Sequence, residues 1–96
     1  MKETQELTAE DFGGALTRSQ RRRLMRGEIE SGSDIVMLRR FVGLSQVRFA
    51  AALGISVHTL RNWEQGRRTP HGPALALLRI AARHPKMVRE TLAPAA

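Results

Sequence analysis

Between residues 44 and 68 the chain reads LSQVRFAAALGISVHTLRNWEQGRR, and its apolar positions recur at helical rather than strand spacing. Phe49, Ala50 and Leu53 fall within about 100° of arc on a helix opened by Ser45, whose hydroxyl is a good amino-terminal cap. Gly54 ends that helix at little steric cost, since glycine enters the left-handed region freely. Ser56 caps a second helix with Leu60 and Trp63 facing inward, and Gly66 stops it before Arg67 and Arg68. The pattern predicts a helix, a turn of about three residues and a second helix.

Opposite Leu60 and Trp63, the second helix presents His58, Arg61, Asn62 and Gln65. Each can hydrogen-bond a base edge or a phosphate, although any amphipathic helix has a polar face that is merely solvated.

Asp34 and the Ser33 before it open another helix, DIVMLRRFV, with Ile35, Leu38 and Val42 on one face. Arg39 projects from that face and needs a counter-charge; Glu64 is the only acid between Ile35 and Met87, which predicts an Arg39–Glu64 bridge. Residues 73–84 form a further helix, with Pro73 in its first turn and Pro85 beyond its end. Its apolar arc of about 220° demands two neighbours, one of them the tail with Met87, Val88 and Leu92, the other a second subunit or another helix. Residues 93–96 are expected to fray.

Residues 1–33 hold a sparse apolar set, Leu7, Phe12, Leu16, Leu24, Met25 and Ile29, with glycines at 13, 14, 27 and 32. Thr8 is positioned to cap one short helix and residues 19–26 to form another, but marginal order is expected of both. The arginine-rich run at 18–26 has three readings: a solvated charge run, an arm touching phosphates, or a partner-binding segment that folds on docking.

Length and charge sharpen this picture. The 96 residues suit one small helical domain. Without cysteine there is no disulfide framework or thiolate metal site, which suits a reducing cytoplasm. The longest apolar run, residues 74–78, is too short for a membrane span or a secretory signal. Residues 1–33 balance six basic against six acidic groups, so residues 34–96, with ten basic groups and three acids, carry the whole net charge of +7. A polyanion is the natural partner, nucleic acid before membrane, as no strongly apolar face remains beside the basic one.

Catalytic chemistry finds no foothold. His58, His71 and His84 are thirteen residues apart, without a ligand pair on one helix, and there are no paired carboxylates or glycine-rich phosphate loop. No enzyme activity, metal or cofactor is expected. For nucleic acid, by contrast, a helix entering a major groove amino end first selects Val57, His58, Thr59, Arg61 and Asn62. Asn62 suits adenine, Arg61 guanine or phosphate, and Val57 a thymine methyl. The backbone amide of Gln46 is placed to meet phosphate, with Arg48, Arg67 and Arg68 adding charge around it. An RNA-binding adaptor is disfavoured, since Trp63 and the three phenylalanines leave few aromatics for stacking.

The string LSQVRFAAALGISVHTLRNWEQGRRTP resembles the helix-turn-helix of the Xre/Cro repressor family over residues 34–85. Its marks are Leu44-Ser45-Gln46, Phe49-Ala50, Leu53-Gly54-Ile55-Ser56 and Trp63-Glu64-Gln65-Gly66 followed by Arg67, Arg68 and Pro70. The resemblance implies an all-α, lambda-repressor-like bundle of five helices after a weakly ordered amino-terminal segment. It also implies a homodimer on a palindromic DNA operator, repression, and the same Arg39–Glu64 bridge. More narrowly, residues 60–67 with Pro73-Ala74-Leu75 and Arg83-His84-Pro85 resemble HigA-type antitoxins. That implies a transcriptional autorepressor that neutralises an RNase-type toxin, residues 1–33 serving as toxin-binding segment or arm and residues 34–96 as DNA-binding domain. A stand-alone Xre-family regulator is the alternative.

Overall fold

A computed structural model describes residues 16–92 of the chain. The described residues contain helices and no strand: α1 Arg18–Met25, α2 Gly32–Val42, α3 Gln46–Leu53, α4 Val57–Glu64, α5 Pro73–Arg83 and α6 Pro85–Met87, followed by a π-helical turn at Val88–Leu92. The local signals account for the central elements. Ser45 Oγ accepts the Arg48 amide at 3.2 Å and Ser56 Oγ the Thr59 amide at 3.0 Å, each satisfying a donor that has no partner inside the helix. Gly54, at φ 72°, closes α3 in the left-handed conformation that a side chain would resist.

One core joins these helices. Phe49, Ala50 and Leu53 of α3 meet Ile35, Leu38 and Val42 of α2, Leu60 and Trp63 of α4, and Leu78, Ala81 and Ala82 of α5. Burying each large side chain contributes about 1.5–3 kcal/mol, so the fully buried Ile35, Leu38 and Val42 make α2 the anchor of the bundle. Gly32 lets α2 begin against the carboxyl end of α4. A Cβ there would overlap the Glu64 carbonyl oxygen and lie 2.7 Å from that of Trp63.

The bundle of α2 to α6 has the expected helical order, but the run at 18–26 departs from expectation. It is a docked helix, packed on α5 and α2, with Leu24 only 1 % exposed within the same core. Thr17 and Gln20 close a capping box at its start (3.1 and 3.0 Å). Its arginines are used far along the chain. Arg21 Nε donates to the Ala82 carbonyl at 2.8 Å at the end of α5 and its guanidinium stacks 5.1 Å from the Phe41 ring centroid. Arg23 grips both carboxylate oxygens of Asp34 at 3.1 and 3.2 Å. The helix capped by Thr8 and the fraying at 93–96 fall outside the described residues.

The carboxyl-terminal expectation is also corrected. Of the three tail residues meant to cover α5, Val88 is buried, while Met87 and Leu92 remain 44 % and 42 % exposed. His84 interrupts the chain before Pro85 and the helix then widens into the π turn, so one apolar side chain rather than a stripe faces inward. α1 supplies much of the neighbour that α5 required.

Asp34 makes the junction of α1 and α2 acid-sensitive. Burial alone raises its pKa, but the Arg23 hydrogen bonds, with the Glu30 amide at 2.8 Å and the nearby positive charge, outweigh that and hold it below the ordinary aspartate value. A depressed folded-state pKa adds stability that is complete well above about pH 4 and is lost as the pH falls through the folded value. Melting curves from pH 7 to pH 3 are expected to show the parent losing more stability on acidification than Asp34→Asn; parallel curves would contradict the pairing.

Candidate nucleic-acid interface

The outer side of α4 and the loop after it form a concave surface with a mixed polar and apolar lining. A groove of about 540 Å³ is lined by His58, Thr59 and Asn62 of α4, Arg68, Thr69 and His71 of the loop, and the edges of Trp63 and Pro70. Pro70 is buried and Trp63 is 6 % exposed, so the floor is apolar and fixed while the walls carry hydrogen-bonding groups. His58 and Asn62 are one helical turn apart, with Nε2 and Nδ2 at 3.4 Å.

The residues singled out in the sequence divide into three sets. His58, Thr59, Asn62 and Arg68 come together around the groove. Gln46 and Arg61 meet at the start of α3, where Arg61 Nε donates to Gln46 Oε1 at 3.2 Å. Arg67 is exposed outside the groove, Arg48 is half-buried on α3, and Val57 is half-buried with its side chain packed on the core. The Thr59 hydroxyl is shared with Ser56 at 3.0 Å, which ties it to the cap of its own helix. Gln65, on the same outer side of the helix, is exposed at the carboxyl cap of α4. Thr69 and His71 line the groove without having been selected, because nothing in the loop sequence reveals which side it turns towards α4.

Behind this surface, Arg39 Nε donates to Glu64 Oε2 at 2.7 Å and its Nη1 to the Leu44 carbonyl at 3.2 Å. The Glu64 side chain is 6 % exposed, and its other oxygen also accepts Gln46 Nε2 at 2.8 Å. α2, α3 and α4 are thereby bound through one carboxylate.

Four arginines elsewhere hydrogen-bond backbone carbonyls. Arg89 Nη1 donates to the Val42 carbonyl at 2.8 Å, Arg21 covers Ala82, and Arg79 and Arg83 approach the Met25 carbonyl at 3.4 Å, each near the carboxyl end of a helix. The exposed Arg61, Arg67 and Arg68 thus carry the positive charge of the α4 face. Among the described residues no group of three acidic or histidine side chains can hold a metal ion, and no helix is long and apolar enough to cross a membrane.

Two capped helices joined across Gly54, with a polar outer helix over an apolar inner one, define a helix-turn-helix protein. The chain belongs to the family described as the antitoxin component of bacterial toxin-antitoxin systems, MqsA, whose profile matches residues 4–92. It is 44 % identical over 61 residues to antitoxin HigA-2 of Vibrio cholerae serotype O1, covering 62 % of this chain and 59 % of that protein. It is 32 % identical over 62 residues to the uncharacterized HTH-type transcriptional regulator YiaG of Escherichia coli K12, covering 65 % of each chain. The matches therefore span less than two thirds of these relatives' lengths. No solved structure matches the chain.

Proposed function

We propose that this protein is a sequence-specific DNA-binding repressor, the antitoxin of a type II toxin-antitoxin pair, which neutralises an RNase-type toxin and represses its own operon in the cytoplasm. The observation that carries the DNA-binding part is the convergence of His58, Asn62 and Arg68 on one groove along the outer side of α4, the second helix of the pair and so the one that would enter a major groove. Asn62, His58, Thr59 and Val57 read bases; the Gln46 amide, Arg48, Arg61, Arg67 and Arg68 hold the backbone. The protein works as a homodimer on a palindromic operator, pairing through the outer side of α5 and the tail, where Met87 and Leu92 are exposed. Toxin contact falls to residues 1–33, through the outer side of α1 and the residues before it, and operator binding to residues 34–96.

Its antitoxin role draws support from the family and from the likeness to HigA-2. The likeness to YiaG favours the second reading, a stand-alone Xre-family regulator with the same groove chemistry. Co-expression with the neighbouring open reading frame separates the two: an antitoxin co-purifies with that product and rescues growth, and a lone regulator does neither.

For DNA contact, Asn62→Ala is expected to relax sequence preference, weakening the preferred duplex by roughly ten- to a hundredfold and a random one little. Arg68→Ala weakens both alike and lowers the salt dependence by about one ion. Equal losses on both duplexes for both variants would contradict this division of labour.

A further inference from the structure

The side chain of Gln46 lies between a group that can only accept and one that can only donate. Its Nε2 donates to the Glu64 carboxylate at 2.8 Å and its Oε1 accepts from Arg61 Nε at 3.2 Å. A carboxylate has no proton to offer and a guanidinium no lone pair, so the amide has one orientation. Glu64 is held in turn by Arg39 at 2.7 Å. The four side chains form a line from the core side of α2, through the carboxyl end of α4 and the start of α3, to the exposed Arg61.

We propose that Gln46 and Glu64 are positioning residues that aim Arg61 at a backbone phosphate of bound DNA. This rests on the proposal that α4 lies against DNA. Only the Nε–H of Arg61 is taken by Gln46, which leaves its two terminal nitrogens, with four N–H donors in one plane, for a phosphate. The tether draws the guanidinium to the first residue of α3, whose own amide meets phosphate in the function proposed above, and away from the groove of His58 and Asn62. Arg61 therefore contributes affinity independent of sequence, and base reading falls to Val57, His58, Thr59 and Asn62. An arginine already held by its Nε loses less freedom when it binds than one that must be ordered from solution.

Gln46→Ala tests this, since it removes the tether and keeps the backbone amide of residue 46. Binding is measured for the parent, Gln46→Ala, Arg61→Ala and the double variant, against random duplex and against the tightest duplex selected from a random library. Each single variant is expected to lose roughly five- to twentyfold on both duplexes, and the double variant scarcely more than Arg61→Ala, with the salt dependence lowered by about one ion wherever Arg61 is absent. In the free protein, the Nε–H resonance of Arg61 shifts and exchanges faster in Gln46→Ala, at an unchanged fold by far-ultraviolet circular dichroism.

Additive losses with an unmoved Arg61 resonance would overturn the positioning role while leaving DNA binding intact. A loss confined to the selected duplex would make Arg61 a base reader and overturn the phosphate assignment. A parent protein that binds neither duplex overturns the DNA reading itself, and this inference with it.

Discussion

Leu24→Ala is expected to destabilise the protein by about 3 kcal/mol, within the range of about 2–5 kcal/mol for emptying a buried leucine site. Leu24 is 1 % exposed and is the residue through which α1 enters the common core. In a domain of this size that loss lowers Tm by roughly 12–24 °C, whereas Leu24→Met, which nearly conserves volume, costs less than about 1.5 kcal/mol. Thermal melting followed by circular dichroism measures both. A Leu24→Ala protein melting with the parent would mean that α1 is not docked in solution.

The second large effect is expected at Glu64. Removing one partner of a buried ion pair leaves the other charge stranded, at a cost of about 3–5 kcal/mol where both are fully enclosed. Arg39 is 15 % exposed and keeps its bond to the Leu44 carbonyl, so about 2–3 kcal/mol is expected for Glu64→Ala. Glu64→Ala also frees Gln46, so affinity for DNA falls beyond what the stability loss explains. Replacing both partners by apolar residues, Arg39→Met with Glu64→Leu, recovers most of the stability but none of the tether. Chemical denaturation of the single and double variants decides this, and a Glu64→Ala protein as stable as the parent would sink the role of the carboxylate.

These two residues also mark where the sequence was legible and where it was not. Glu64 was within reach because its constraint is simple: Arg39 sits on an apolar helix face and the chain offers one acid over the following stretch. The α3–α4 pair was legible for a similar reason, since Ser45, Gly54, Ser56 and Gly66 act within a few residues of themselves. Leu24 was not. It stands among five arginines, and only a partner 54 to 61 residues away makes burial there favourable: Arg21 reaches Ala82, while Arg79 and Arg83 reach Met25. Periodicity contains no such distance. Arg23 was equally hidden, one of three consecutive arginines of which the fold turns just this one onto Asp34.

The candidate site shows the same division. Helical phase placed His58, Asn62 and Arg61 on the outer side of α4, and its period is enough for that. It could not show that His71 and Thr69 close the groove, nor that Arg61 leans away from it to Gln46, because both depend on how a loop and a neighbouring helix pack. Nor could charge counting separate the arginines that bond helix carboxyl ends, such as Arg79, Arg83 and Arg89, from the exposed Arg61, Arg67 and Arg68 beside α4.

Methylation protection on DNA from upstream of the protein's own gene tests the central claim most directly, because guanine N7 lies in the major groove and adenine N3 in the minor groove. The parent protein is expected to shield N7 positions in two symmetric half-sites about one helical turn apart, and Asn62→Ala to abolish that pattern while general binding persists. Protection confined to adenine N3, or an N7 pattern unchanged by Asn62→Ala, would contradict recognition through α4.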